Sequence, residues 1–122
     1  MNLNGFIVCK TDGVRVKVKY NLNEIKFKYI VYHFLDENNN LLYIGSTTNI
    51  VSRIKDHFRI KKMKEVRKIV VYEMAACPDM LFFEAQGIVV NKPNWNSKLI
   101  EGVKSEYNIE PISFIEINLE LL

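Results

Sequence analysis

Residues 29–58 read YIVYHFLDENNNLLYIGSTTNIVSRIKDHF, and this segment predicts most of the fold. Two apolar runs of strand-like composition, 29–35 and 41–44, flank the polar sequence DENNN, which is typical of a hairpin turn. The second run ends at Gly45, and the polar residues that follow can cap a helix beginning near Ile50. The expected order is therefore strand, turn, strand and helix.

The predicted helix has an apolar stripe and a polar face beside it. Three apolar residues recur four positions apart and form the stripe that we expect to be buried: Ile50, Ile54 and Phe58. Arg53 and His57 are also four apart and share the neighbouring face, which looks back toward the hairpin. There they would lie beside Tyr32 and Tyr43. A group of tyrosine, histidine and arginine side chains suits chemistry on phosphates.

These motifs resemble the GIY-YIG nuclease family, in which a Gly-Ile-Tyr strand, a Tyr-Ile-Gly strand and a helix carrying an arginine follow one another. Residues 43–45 are Tyr-Ile-Gly, and Arg53 and His57 follow them in the typical way. Residues 30–32 keep the tyrosine of the first motif but have isoleucine where the family usually has glycine. The resemblance implies an α/β fold of the α+β type, a small central antiparallel β-sheet flanked by helices, with extra terminal strands.

The resemblance continues to two later positions and implies a role for each site residue. The family has a metal-binding glutamate in a later helix and an asparagine after a proline, and Glu84 and Asn96 fit these positions. The implied catalytic residues are Tyr32, Tyr43, Arg53, His57 and Glu84, supported by Gly45 and Asn96. Tyr32 is expected to take a proton from the attacking water, Arg53 to neutralise charge on the phosphoryl group, and Glu84 to hold Mg²⁺ or Mn²⁺.

The sequence leaves the identity of the general base open. An unperturbed tyrosine has a pKa of about 10, so little phenolate exists at neutral pH. Arg53 and metal-bound water are candidates to lower the pKa of Tyr32, and a proton shared with His57 fits the sequence equally well. Tyr43 and His57 are otherwise expected to position water and phosphate.

Length and composition predict a single domain. The chain has 122 residues, of which 48% are hydrophobic and 25% charged, which is enough for one core. The family-like core covers about 29–96, with an N-terminal hairpin extension over 1–28 and a C-terminal extension over 97–122. Apolar and charged residues alternate in both extensions, and a pairing of the two ends would set lysines opposite glutamates.

Two further elements complete the predicted core. Residues 66–74 predict a third strand beside the hairpin, and residues 78–90 predict a helix that begins at a proline. The inward stripe of this helix is expected to consist of Leu81, Ala85 and Ile88, with Glu84 next to it. Trp95 is expected in the core or at its rim.

The cysteines and the apolar segments predict a cytoplasmic protein. Cys9 and Cys77 lack the close spacing of a zinc or redox motif and are expected to be buried thiols. Residues 1–9 have no charged leader or cleavage pattern, and no apolar segment approaches the length that crosses a membrane.

Positive charge is concentrated in one segment of the chain. Residues 53–68 contain eight basic and two acidic residues, a net charge of +6, whereas the whole chain carries +3. A local basic patch favours a phosphate backbone, although a solvated surface helix has the same composition. The expected nucleic-acid contacts come from Lys55, Arg59, Lys61, Lys62 and Lys64.

The sequence therefore favours a metal-dependent endonuclease that hydrolyses DNA phosphodiester bonds, with RNA as a second substrate to be tested. The alternative is a GIY-YIG fold without cleavage activity that binds nucleic acid or protein, and the isoleucine in the first motif is its support. Specific double-strand cutting would require a homodimer or a recognition partner, because one active site cuts one strand.

Overall fold

The computed structural model describes residues 7–11, 14–19, 25–59, 61–96 and 109–121, and the side chains of 25–59, 63–96 and 109–119. The elements follow in the order β1 (Ile7–Thr11), β2 (Val14–Lys19), β3 (Tyr29–Leu35), β4 (Leu41–Thr47), α1 (Ile50–His57), a 3₁₀-helix (Lys61–Glu65), β5 (Lys68–Met74), α2 (Cys77–Asn91) and β6 (Ser113–Leu121). The prediction of an antiparallel sheet flanked by helices, with added terminal strands, is confirmed.

The β3–β4 hairpin forms as the sequence predicts, but its second strand is longer. β4 continues beyond Gly45 to Thr47, and polar residues near the helix start cap α1, since the Asn49 side chain accepts a hydrogen bond from the backbone N–H of Ser52 at 3.1 Å. The antiparallel register pairs Tyr32 with Gly45. The same register pairs Phe34 with Tyr43. Cross-strand partners share one face of a sheet, so these four residues lie together.

The strands lie in the order β1-β2-β6-β5-β3-β4, and all neighbours are antiparallel. β5 lies beside the hairpin, as expected, and the two ends of the chain pair through β2 and β6. In this pairing Lys17 is opposite Glu120, which confirms the arrangement predicted for the two ends. Opposite charges across an antiparallel pair are favourable, so the composition of both ends agrees with this register.

Alternation along the strands divides the core between two faces of the sheet. The cluster on the first face includes Ile30, Tyr32, Phe34, Ile50, Ile54 and Phe58. The cluster on the second face consists of Val31, Ile44, Met74 and Met80. We name these the α1 face and the α2 face, because α1 and its C-cap residue Phe58 supply three members of the first cluster and α2 supplies Met80. The buried stripe predicted for α1 is confirmed.

α2 forms where expected but buries a different side. Leu81, predicted in the inward stripe, is 52% exposed, and the buried residue of this region is Met80. Ile88 packs against the α2-face cluster, as expected. Gly87 brings the helix close to β4, since a Cβ there would lie 2.9 Å from Ile44 Cδ1. Met80, Gly87 and Ile88 thus lie on the side of α2 that meets the sheet, and Leu81 lies on the side that faces solvent.

The prediction of a buried thiol at Cys77 is wrong. Cys77 is exposed at the first residue of α2, because the start of this helix buries only Met80 against the sheet. The side chain of Cys9 lies outside the described residues. Within the part of the chain that the structure describes, no helix has the length and apolar character needed to cross a membrane.

Candidate active site

Four aromatic rings meet on the α1 face. Tyr32 and Phe34 come from β3, Tyr43 from β4 and His57 from the last turn of α1. Each ring is in contact with the other three, and the centroid separations run from 4.9 to 6.1 Å. The hairpin register places the first three side by side, and α1 adds the histidine. We call this set the four-ring group.

The Tyr32 hydroxyl is the polar centre of the four-ring group. Its Oη lies 2.8 Å from His57 Nε2, which is a hydrogen bond between residues 25 positions apart. The Arg53 guanidinium lies near this hydroxyl and interacts with it electrostatically. Tyr32 is 0% exposed, whereas Tyr43 and His57 are half-buried and Arg53 is exposed. Solvent therefore meets Arg53 and the edges of Tyr43 and His57, with Tyr32 beneath them.

The surroundings of Tyr32 disfavour its phenolate form. Burial raises the pKa of Tyr32 well above its usual range, the Tyr43 hydroxyl raises it further, and the Arg53 guanidinium lowers it. Because burial is the largest effect, Tyr32 is a phenol at neutral pH. Tyr32 in turn raises the pKa of Arg53, which keeps its positive charge. The lowering of the Tyr32 pKa by Arg53 that the sequence suggested is thus outweighed by burial.

Gly45 makes room for the Tyr32 hydroxyl. A Cβ built at position 45 would overlap Tyr32 Oη and lie 2.5 Å from Tyr32 Cζ and 2.9 Å from Tyr43 Cε2. Contacts this short do not occur in a packed interior, so any side chain here would displace the tyrosine ring. The glycine of the second motif therefore has a steric role in the four-ring group.

Ile30 occupies the position where the family usually has glycine in the first motif. Its side chain is 1% exposed and belongs to the α1-face cluster. Tyr32 follows two residues later on the same face of β3 and keeps its hydrogen bond to His57. The departure from the first motif thus adds a core residue, and the tyrosine remains in the four-ring group.

Asn96 joins the loop after α2 to the outer edge of β4. Its Oδ1 accepts a hydrogen bond from the Ile44 backbone N–H at 3.0 Å, and its Nδ2 donates to the Ile44 carbonyl at 2.9 Å. The Trp95 backbone N–H donates to the Leu42 carbonyl at 3.0 Å. The loop therefore continues the hydrogen-bond ladder of β4 and fixes the residue next to Gly45. Such contacts fit the supporting role expected of Asn96.

Glu84, the expected metal ligand, lies on a different element from the four rings. It is half-buried in α2, one turn before Gly87, where the helix approaches Ile44. The contact at Gly87 therefore joins the helix that carries Glu84 to β4, the strand that carries Tyr43 and Gly45. Among the described residues, no three His, Cys, Asp or Glu side chains converge into a metal site made of protein ligands alone.

The fold divides the basic segment of the sequence. Arg53, Arg59 and Lys64 are exposed, and Lys55 is half-buried. Two other basic residues bind within the protein. Arg67 donates from Nη1 to the carbonyls of Lys64 and Val66, the latter at 2.8 Å, and Lys68 Nζ lies 3.9 Å from a carboxylate oxygen of Glu116. The side chains of Lys61 and Lys62 lie outside the described residues.

Phe34 is the member of the four-ring group that the sequence interpretation did not include. It is fully buried and lies two residues after Tyr32. Side chains two apart on a strand share a face, so the strand period could have placed it beside Tyr32. The site was predicted from polar and ionisable side chains, and an apolar residue such as Phe34 is not among them.

The sheet, the two motif strands and the arginine-bearing helix together define a family. The family model described as the GIY-YIG catalytic domain matches residues 28–114. This match runs from the start of β3 into β6 and includes every residue of the four-ring group. The chain belongs to the GIY-YIG catalytic domain family.

The curated relatives are larger proteins called UvrABC system protein C. The chain is 38% identical over 78 residues to the one from Borrelia garinii subsp. bavariensis, which covers 58% of the chain and 13% of the relative. It is 36% identical over 78 residues to the one from Borreliella burgdorferi, with the same shares covered. The relative from Microcystis aeruginosa is 27% identical over 118 residues, or 87% of the chain and 18% of that protein. No solved structure matches the chain significantly.

Proposed function

We propose that the chain is a metal-dependent endonuclease that hydrolyses DNA phosphodiester bonds. The observation that carries the proposal is the hydrogen bond between Tyr32 and His57 beside an exposed Arg53, within a GIY-YIG catalytic domain. A proton-transfer pair next to a fixed cation is what attack of water on a phosphodiester requires.

In this mechanism Tyr32 and His57 act as one proton-accepting pair. With Nε2 of neutral His57 as the acceptor, the Tyr32 hydroxyl donates to it. The attacking water gives its proton to Tyr32 Oη while the phenolic proton moves to His57 Nε2. The resulting hydroxide bonds to phosphorus, and the bond from phosphorus to the 3′ oxygen breaks. A free phenolate never forms, which agrees with the raised pKa of the buried Tyr32.

Arg53 and Tyr43 complete the chemistry at the exposed side of the group. Arg53 keeps its charge and faces solvent, so it can neutralise the phosphoryl oxygens as charge grows on them. Tyr43 is half-buried between solvent and Tyr32 and would orient the water. Because Tyr32 is fully buried in the free protein, substrate binding must part the rings enough to admit the water.

Glu84 is the residue that would hold the metal. A half-buried carboxylate offers a hard oxygen ligand, and a hydrated Mg²⁺ or Mn²⁺ needs few protein ligands when phosphate oxygens complete its shell. The lack of a three-ligand cluster among the described residues fits such a cation. When bound, the cation would supply charge stabilisation for the leaving 3′ oxygen.

DNA is the proposed substrate because exposed cations adjoin the Tyr32–His57 pair. Arg53 lies beside Tyr32, Arg59 lies in the turn that follows α1, and Lys64 lies in the 3₁₀-helix. Phosphate contacts of this kind bind a backbone without reading bases. RNA presents the same phosphates and is included as a substrate in the test below.

One observation favours a second candidate, a binding module without cleavage. Tyr32 is 0% exposed, so no water from bulk reaches its side chain in the free protein. In that case the group would be a rigid aromatic support for a nucleic-acid surface. The two candidates differ in whether nicking occurs at all and whether it depends on Glu84.

The experiment that tests the proposal is cleavage of supercoiled plasmid, branched DNA and RNA with Mg²⁺, with Mn²⁺ or with a chelator. We expect metal-dependent nicking by the wild type and none by Glu84→Gln, with DNA affinity nearly unchanged, because the substitution removes the carboxylate at almost constant volume. Glu37→Gln, in the exposed hairpin turn, is the matched control and should cleave like wild type. Binding without cleavage under every condition would favour the binding module, and full activity of Glu84→Gln would refute the metal assignment.

A further inference from the structure

Phe34 is the one member of the four-ring group without a polar atom. Its ring centroid lies 4.9 Å from that of His57 at an interplanar angle of 88°, and it lies 5.3 Å from Tyr32 and 5.6 Å from Tyr43. The residue is 0% exposed, so it makes no contact with solvent in the free protein, and its side chain has no group that could take part in proton transfer. Its three ring neighbours are the side chains that transfer the proton or orient the water in the proposed mechanism: Tyr32, Tyr43 and His57.

We propose that Phe34 is a positioning residue that holds the His57 ring in the orientation in which Nε2 faces the Tyr32 hydroxyl. This inference rests on the proposed function for its effect on catalysis. It concerns the state of His57, which is measurable whether or not the protein cleaves DNA.

The geometry explains why His57 needs such a support. His57 is the last residue of an eight-residue helix, and its ring can rotate about the Cα–Cβ and Cβ–Cγ bonds. The hydrogen bond to Tyr32 fixes one atom of the ring, Nε2. The edge-to-face contact with Phe34 fixes the plane of the ring, since aromatic pairs prefer this arrangement. Together the two contacts restrict the orientation of the ring, and Phe34 makes the shortest ring contact of the three that His57 has in the four-ring group.

Removing the Phe34 ring should therefore let the His57 ring adopt other orientations, while the surface that binds the substrate stays unchanged. We expect Phe34→Leu to lower kcat by about tenfold, part of the effect of general acid–base catalysis, with KM for DNA changed less than about threefold. Phe58→Leu is the matched control, because Phe58 is also buried in the α1-face cluster but is not part of the four-ring group. Phe58→Leu replaces a buried phenylalanine of the same cluster by leucine, as Phe34→Leu does, and it should keep kcat within about twofold of wild type.

A double variant distinguishes positioning from general damage to the core. If Phe34 acts through His57, Phe34→Leu should cause no further loss of kcat in a His57→Ala background, whereas independent effects would multiply. An equal loss of kcat in Phe34→Leu and Phe58→Leu, or a tenfold loss that persists without His57, would overturn the proposal.

A spectroscopic measurement tests the proposal without relying on activity. The chain has two histidines, His33 and His57, so their ring Cε1–H signals can be assigned by NMR with a His33→Gln variant. The ¹⁵N shift of His57 Nε2, correlated through this Cε1–H, reports the hydrogen bond from Tyr32, and the loss of a neighbouring ring current moves it little. This shift should be alike in wild type and Phe58→Leu and should change in Phe34→Leu. An unchanged His57 signal would refute the positioning role even in an active enzyme. If the wild type does not cleave, the proposed function fails and this signal still decides the positioning claim.

Discussion

At the scale of single residues, the Tyr32–His57 hydrogen bond is the contact on which the proposed chemistry depends. We expect Tyr32→Phe to lower kcat by roughly 10²-fold or more, because phenylalanine keeps the ring packing but cannot pass a proton. Arg53→Ala should cause a loss of similar size through the missing charge. Plasmid nicking measures both, and thermal unfolding should show that both variants stay folded.

The same contact predicts the direction of the pH dependence of cleavage. The proton-accepting pair requires neutral His57, so wild-type kcat should fall as the pH is lowered and His57 becomes protonated. The residual activity of Tyr32→Phe should lack this dependence. If Tyr32→Phe kept near-full turnover across pH while His57→Ala abolished it, His57 alone would be the base.

Two glycines provide a sharp comparison at this scale. Gly45→Ala should abolish measurable nicking and destabilise the protein, because the new Cβ would overlap the Tyr32 hydroxyl. In Gly87→Ala the new Cβ would meet only the end of the Ile44 side chain, at 2.9 Å. Alanine also has a higher helix propensity than glycine, by up to about 1 kcal/mol, so this variant should unfold at nearly the same free energy as wild type. Cleavage and thermal unfolding of both variants check this. An active Gly45→Ala protein would contradict the steric role of Gly45.

His33 lies on the α2 face, away from the four-ring group, and predicts a pH dependence of stability. Burial lowers the pKa of His33 to about 4, from an unfolded value of 6.5. The unfolded chain then binds more protons between these values, so the free energy of unfolding should decrease as the pH falls from about 6.5 to about 4, by roughly 2 to 4 kcal/mol in all.

The variant His33→Phe tests this dependence. It keeps a ring next to Tyr72, whose centroid lies 4.8 Å from that of His33, and removes the titrating group. Denaturant unfolding at about pH 7.5 and about pH 5 should show a smaller difference for the variant than for wild type. Equal differences would mean that His33 is not the group responsible.

At the scale of the elements, the outer edge of β4 is where the loop after α2 is attached. Asn96→Ala removes the two side-chain hydrogen bonds to the backbone N–H and carbonyl of Ile44. Their loss should lower the free energy of unfolding by about 1 to 3 kcal/mol. We expect Tm to fall by roughly 5 to 15 °C and the Ile44 amide to lose protection from hydrogen exchange. Asn94→Ala, exposed in the same turn, is the control and should leave both unchanged. A stable Asn96→Ala protein would show that the edge of β4 is held by other contacts.

At the scale of the whole molecule, the two faces of the sheet have different characters. The α1 face carries the four-ring group and is bordered by the exposed cations of α1 and the 3₁₀-helix. On the α2 face, by contrast, Lys68 pairs with Glu116, and the exposed Phe114 ring contacts Tyr72. The exposed cations should therefore draw a phosphate backbone to the α1 face.

A single proposed active site predicts how the chain would cut DNA. We expect the monomeric chain to nick supercoiled plasmid with weak sequence preference, because a single site hydrolyses one strand and phosphate contacts carry little sequence information. Nicking should weaken steeply as salt rises. Size measurement in solution combined with sequencing of the nicks tests this. Site-specific double-strand breaks made by a monomer would contradict it, and a dimer that makes them would point to pairing of two copies.

Local patterns in the sequence determined the elements that carry the site. The hairpin, the cap at Asn49 and the stripe of α1 follow from spacings within about thirty residues, so they could be predicted before any tertiary contact was known. The pairing of the two ends was predictable as well, because alternation and opposite charges favour one arrangement. Tyr32, Tyr43 and His57 could be placed together for the same reason, since each lies at a defined position in one of these elements.

Tertiary structure alone decided what covers each face, because burial depends on chain segments far apart in sequence. It buried Tyr32 completely, which raised its pKa, and for that reason we propose that Tyr32 accepts a proton together with His57 and not alone. α2 packs on the sheet through Met80, Gly87 and Ile88, and this packing leaves Leu81 in solvent. Periodicity shows that a helix has an apolar side, but it does not show which of two adjacent rows meets the sheet.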